Sequence, residues 1–211
     1  MKVLIFGATG RTGRELVGQA LERGFDVAAY TRDSRNMGIE DPHLTVISGQ
    51  LNDRVQLRSA IKDSDAVLSA LGPMGKPSDE ELSDGIANIL SVMEECAVTR
   101  LIALSTTSAQ DPLDEDNSRT KLRRDMIRKG RPTSYDQIVR LTELIRNSDT
   151  DWTLVRIASI LTDSPLSKKI RTGYMGKDRF RTTLSRANLA WFMLEQLTST
   201  EYIRKAPALS N

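Results

Sequence analysis

Cysteine and histidine are almost missing from this chain. The single Cys96 has no partner for an internal disulfide and falls in a helix-patterned stretch, where a buried reduced thiol is the ordinary expectation. The lone His43 and the lack of a cysteine cluster leave no metal-ligand spacing, so no metal is expected. Charge of one sign is not in excess either. Lys plus Arg number 30 against 28 Asp plus Glu, a net charge of +2, which argues against general affinity for nucleic acid or an anionic membrane. No apolar run approaches the ~20 residues needed to span a bilayer, and a strand pattern begins at residue 2, so the expectation is a cytoplasmic protein. Linkers, internal repeats and low-complexity tracts are lacking as well. At 211 residues the chain reads as one domain, 1–211, with a small C-terminal substrate region at about 158–185.

What is present is concentrated at the start. Residues 1–6 form an apolar strand pattern, Gly7-Ala8-Thr9-Gly10-Arg11-Thr12-Gly13 follows at once, and Leu16, Val17, Ala20 and Leu21 then recur at helical spacing. In this strand–turn–helix context the three glycines have separate tasks. Gly7 lets the chain leave the strand, Gly10 lets the main chain approach a pyrophosphate, and Gly13 lets the helix pack closely on the strand. The helix start adds free N–H groups and a positive dipole end. The pattern predicts a dinucleotide site on an α/β, Rossmann-type, doubly wound and mostly parallel sheet.

The second strand, 26–31, ends where the adenosine ribose would lie. An NAD site usually places a carboxylate there, whereas a 2′-phosphate needs cations, and here Arg32 follows the strand directly with Arg35 three residues later. NADPH is therefore expected over NADH.

Residues 2–13, together with Thr31-Arg32-Asp33-Ser34, resemble the atypical short-chain dehydrogenase/reductase proteins, in particular the NAD(P)H-binding NmrA-like proteins and the flavin reductase (biliverdin-IXβ reductase) type. The resemblance runs through most of the chain, and its first third is the specific part. It implies that Gly7, Thr9, Gly10, Arg11, Thr12 and Gly13 hold the cofactor with Arg32 and Arg35. In the family the turn after the third strand reads Gly-Asp-hydrophobic and lies over the adenine. Here it reads Gly49-Gln50-Leu51, so Gln50 replaces the acid and Leu51 is the apolar contact. Ala70, Leu71 and Gly72 close a fourth strand, 65–70, and resemble the nicotinamide-ribose contacts. Ser105 and Thr106, after a fifth strand at 100–104, match a hydroxyl pair that the family places near the nicotinamide or the substrate.

Asp151-Trp152-Thr153-Leu154-Val155-Arg156 resembles the family's Asp-Trp-Thr strand, with Ile157 where a proline is usual, and Arg156 with Ile157 would approach the nicotinamide end. Leu184-Ser185-Arg186-Ala187-Asn188 resembles the family's last helix entry, and a last strand is expected at 201–206. A long helix is expected at 80–98 and another at 135–147. Residues 111–133 open acidic and turn basic around a thin apolar edge, which predicts a short surface helix in a solvated, charge-balanced excursion, with a lid or an oligomer contact as the alternative. The oligomeric state stays open.

The chemistry is constrained by a missing base. In a typical short-chain dehydrogenase a lysine four residues after the tyrosine lowers the phenol's pKa, but Val139 stands four after Tyr135, and Arg140 is too basic to relay a proton. No catalytic side chain is assigned, with Ser105 and Tyr135 as the candidates. A flavin, a quinone or another small conjugated acceptor needs only to be stacked on the nicotinamide, with solvent supplying the proton. The expected function is an NADPH-dependent oxidoreductase of such an acceptor. The alternatives are an NmrA-like redox-sensing regulator without turnover and, third, a sugar-nucleotide epimerase relative.

Overall fold

The computed structural model describes residues 1–73 and 82–211. Ten strands are described: β1 (Lys2–Phe6), β2 (Asp26–Thr31), β3 (Leu44–Ser48), β4 (Ala66–Ser69), β5 (Arg100–Thr106), β6 (Asp151–Ile157), β7 (Ile160–Thr162), β8 (Arg171–Gly173), β9 (Thr183–Ser185) and β10 (Ala208–Ser210). Among them run six helices: α1 (Arg11–Glu22), α2 (Arg54–Ile61), α3 (Leu82–Glu95), α4 (Ser118–Gly130), α5 (Pro132–Arg146) and α6 (Arg186–Glu195). The part of the expected 80–98 helix before residue 82 lies outside the described residues.

The main sheet has the order β3-β2-β1-β4-β5-β6-β10-β8, parallel throughout except for β8, which runs antiparallel on the edge beside β10. The strand order reverses between β1 and β4, and a crevice opens at such a switch point beyond the strand ends. Alternation along the central strands sets the two faces. Leu4, Phe6, Ala28 and Tyr30 enter one core under α2, α3 and α5, whereas Val3, Ile5, Val27 and Ala29 enter the other under α1 and α6. Burial on both faces is why β1 reads as an unbroken apolar run.

Local signals account for the helix limits. Asp53 caps α2 by accepting from the Gln56 N–H at 3.0 Å, Ser185 caps α6 by accepting from the Asn188 N–H at 3.0 Å, and Pro132 opens α5. Gly24, at φ +76°, takes the chain out of α1 in the left-handed conformation that favours glycine.

Two expectations are corrected. The strand expected at 201–206 is displaced: residues 201–204 form a turn, and β10 begins at Ala208. The chain does run beside β6, since the Leu154 N–H donates to the Lys205 carbonyl at 3.1 Å and the Arg156 N–H to the Pro207 carbonyl at 2.9 Å, but Pro207 has no N–H to extend a ladder. The polar stretch 163–181 contains the edge strand β8, and β7 pairs in parallel with β9 in a separate small sheet. Three-residue strands are too short to show a period.

The second correction concerns the charged excursion. α4 has no buried residue, as a surface helix should, and most of the segment before it is exposed, but Asp111 and the Asp114 side chain turn inward. Asp114 is sunk against Arg156 of β6, with Nη1–Oδ2 at 2.6 Å and Nη2–Oδ1 at 2.8 Å and both side chains almost inaccessible. The Arg156 guanidinium also donates from Nε to the Ala206 carbonyl at 2.7 Å, and Asp111 pairs with Arg146 at 2.6 Å. Burial opposes ionisation of Asp114, but hydrogen bonds from Arg156 and from the backbone N–H groups of Asp111 and Met175 outweigh it and hold the carboxyl below its ordinary range.

Removing one partner of a buried pair leaves the other charge uncompensated. Asp114→Ala should therefore lower the unfolding free energy by about 3–5 kcal/mol in urea titrations. Because the folded-state pKa is depressed, the pair's contribution is complete above the ordinary carboxylate pKa of 3.8 and fades as pH falls through the lower folded-state value. Wild type should lose stability over that acid window, and Asp114→Ala should lose less of it.

Candidate functional site

The cleft lies at the switch point and encloses about 590 Å³, within the roughly 300–1,000 Å³ typical of ligand sites. Its floor is the glycine turn. Gly7 has φ +73°, and a Cβ there would sit 2.9 Å from the Ala70 carbonyl carbon, so β1 and β4 close together only around glycine. At Gly13 a Cβ would fall inside the Gly7 carbonyl oxygen. Gly10 differs: its φ of −71° is ordinary, and the nearest atom to a Cβ is the Gly7 oxygen at 3.3 Å, so it borders open cleft. No side chain caps α1 and no acid stands in its first turn, which leaves the helix start free for an anion.

Arg14 anchors this turn and was not legible as a site residue. Its Nε donates to the Thr9 carbonyl at 3.2 Å and its Nη1 to the Met37 carbonyl at 2.7 Å, tying the turn to the chain after β2.

At the end of β2 the charges sort themselves. Arg32 lines the cleft and makes no ion pair among the described residues. Arg35 does not line it: its Nε and Nη2 donate to Asp33 at 3.0 and 2.8 Å, which lowers the carboxyl's pKa and neutralises the one acid at this strand end. Tyr30 packs on Phe6 with ring centroids 5.0 Å apart and donates its hydroxyl to the Gln50 carbonyl at 3.0 Å. Burial, with the Asp53 charge, pushes the phenol up to about 12, so it stays a neutral donor. Tyr30 lies directly across from Phe6 in the β1–β2 register, a position that strand alternation alone marks as facing the same side.

The remaining walls come from β3, β4 and α3. Gly49, Gln50, Leu51 and Asn52 form one rim, and Ala70, Leu71 and Gly72 another. α3 closes the side with Leu82, Asp84, Gly85 and Asn88, none of them foreseen from the sequence. Gly85 is the available signal: glycine inside a helix is unfavourable, and here a Cβ would sit 2.6 Å from Leu51 Cδ1. Asn88 Nδ2 then donates to the Leu51 carbonyl at 3.0 Å.

The structure thus gathers Gly7, Thr9, Gly10, Arg32, Gln50, Leu51, Ala70, Leu71 and Gly72 around one cleft. Other expected residues stand elsewhere. Thr12 and Gly13 are buried under the turn, and Arg11 is paired with Asp163. Ser105 is buried and shares a 2.8 Å hydrogen bond with Thr142, so its hydroxyl is committed inside the core; Thr106 and Ile157 are half-buried outside the cleft lining. Tyr135 sits at the start of α5 with Arg128 over its ring at 5.9 Å. Arg156 is fully buried on Asp114, which removes it from any approach to the cofactor.

A family model described as NAD(P)H-binding matches residues 7–200. The chain belongs to the NAD(P)H-binding family. Its members of this kind are atypical short-chain dehydrogenase/reductase proteins, a family of NAD(P)H-dependent oxidoreductases. Family relatives include the Bacillus subtilis uncharacterized protein YwnB, 24% identical over 96% of this chain and 94% of its own. The Streptomyces griseus (4-alkanoyl-5-oxo-2,5-dihydrofuran-3-yl)methyl phosphate reductase is 25% identical over 77% of this chain, which spans only 49% of that enzyme. In fold, the chain superposes on a Veillonella parvula short-chain dehydrogenase/reductase solved with NADP at TM-score 0.81, covering all of this chain and 94% of that one at 16% identity. The Lactococcus lactis oxidoreductase ylbE gives 0.82 with 91% of its chain covered, at 18% identity. No described helix is long and apolar enough to cross a membrane.

Two glycine substitutions separate the roles within the turn. Gly13→Ala must displace the Gly7 carbonyl and should lower stability by about 1–3 kcal/mol. Gly10→Val should keep a near-native urea midpoint yet lose NADPH affinity, because its side chain fills the cleft. A variant Gly10→Val that binds NADPH as wild type does would place the cofactor away from this turn.

Proposed function

We propose that the protein is an NADPH-dependent reductase delivering hydride to a small conjugated acceptor such as a flavin or a quinone. The single observation behind the cofactor choice is Arg32, which borders the cleft without an ion pair among the described residues while Asp33 is held by Arg35. A free guanidinium beside a neutralised carboxylate suits a 2′-phosphate better than a ribose diol. Gly7, Thr9, Gly10 and the uncapped start of α1 would hold the pyrophosphate, Gln50 and Leu51 the adenine, and Ala70, Leu71 and Gly72 the nicotinamide ribose. Residues 158–185 would form the substrate side.

When bound, NADPH supplies the hydride. The chain's own part is to bind, orient and exclude water, because neither candidate proton donor suits the role: Ser105 is committed to Thr142, and Tyr135 lacks a lysine four residues on. An acceptor that takes hydride at a ring or chain carbon and its proton from solvent fits this arrangement. The S. griseus relative, named for reducing an oxo-dihydrofuran phosphate, supports such an acceptor. One observation favours a second reading, a sensor that reports the cofactor's redox state to a protein partner: Leu122 and Met126 stand 62% and 66% exposed on α4 among its cations.

Titration calorimetry should give tighter binding of NADPH than of NADH, and Arg32→Ala should cost roughly tenfold or more for NADPH with little change for NADH. Equal affinities for the two cofactors would overturn the cofactor assignment.

Purified protein should oxidise NADPH in the presence of FMN, riboflavin or small quinones, and Tyr135→Phe should retain most of that rate. A loss of several orders of magnitude in Tyr135→Phe would restore a catalytic tyrosine. Tight binding with no oxidation across the panel would favour the sensor.

A further inference from the structure

The loop after β7 reaches back to the start of α1. Asp163 accepts a hydrogen bond from Arg11 on one side and from Arg186 Nη1, at 2.7 Å, on the other. Each arginine is the first residue of its helix, Arg11 of α1 and Arg186 of α6. The two helices pack together, with Gln19 Nε2 donating to the Ala187 carbonyl at 3.0 Å and Arg23 paired with Glu195 at 2.8 Å. A carboxylate is thereby clamped beside the helix start that the reading above assigns to the pyrophosphate.

The two halves of the clamp are unequal. Arg186 is sheltered, with its side chain 13% exposed, whereas Arg11 is 67% and Asp163 59% exposed. An ion pair as open to water as Arg11–Asp163 is weak and easily exchanged. A phosphate oxygen at the start of α1 offers the guanidinium a stronger anion, with the helix N–H groups acting on it as well.

We propose that Asp163 sets the affinity of the cofactor site: its carboxylate holds Arg11 in the free protein, where a pyrophosphate oxygen takes over on binding, and then remains on Arg186. The inference rests on the glycine turn being the pyrophosphate site. Since one charged contact is exchanged for another, Arg11 contributes less to binding than an unengaged arginine would. The effect concerns the pyrophosphate, which NADPH and NADH share, and is therefore independent of Arg32.

Calorimetric titration of wild type, Asp163→Asn, Arg11→Ala and the double variant tests this, with urea midpoints as a check of folding and Asp163→Ser as a second neutral replacement. Asp163→Asn and Asp163→Ser should bind NADPH and NADH about two- to fivefold more tightly than wild type, and the gain should vanish when Arg11 is alanine. Unchanged or weaker binding in the neutral variants would overturn the proposal and make Asp163 a residue that positions Arg11. A gain that persists without Arg11 would overturn it too. Failure of every protein, wild type included, to bind either cofactor would overturn the pyrophosphate reading along with the proposal, whereas equal binding by wild type and variants defeats the proposal alone.

Discussion

The Gly7 carbonyl oxygen occupies the space that a side-chain carbon on residue 13 would need. This contact lets α1 lie hard against the turn, and α1 in turn covers Val3, Ile5, Val27 and Ala29 on one face of the sheet. The same constraint aims an uncapped helix start into the crevice between β1 and β4. Packing and binding geometry therefore share one cause, close backbone approach, and Gly10 is the member of the triplet that the fold itself does not require.

The second half of the chain is fastened by a different device. Arg156 and Asp114 are paired where water cannot reach them, and Asp114 Oδ1 also accepts from the Met175 N–H at 2.9 Å. One ion pair thus ties the loop after β5, the strand β6 and the turn after β8 together. A pair so enclosed is weak evidence for net stability, but breaking it is costly. It explains why the arginine near the end of β6 is structural.

Electrostatics near the cleft follow from which charges are already engaged. Arg35 is spent on Asp33 and Arg11 on Asp163, while Arg32 has no such partner among the described residues. Three arginines that look equivalent as cations near a phosphate site differ in what it takes to recruit them. The exposed pairs are readily exchanged, and the buried one is not.

The sequence by itself determined the doubly wound sheet and the strand–turn–helix at its start, and it marked about half of the residues that line the cleft, among them Gly7, Gly10, Arg32 and Gly72. These features are written in local periods and in glycines next to a strand, and neighbouring residues suffice to specify them. β2 falls on the residues its apolar pattern marks. Only the tertiary structure decided that Arg156 is buried on Asp114, that Ser105 is turned onto Thr142, that α3 supplies a wall through Asp84, Gly85 and Asn88, and that the chain's last strand lies beyond Pro207. Each of these depends on partners far apart in the chain, Asp114 with Arg156 or Leu51 with Gly85. A side chain's type fixes which bonds it can make, and only the packed fold fixes which partner reaches it first.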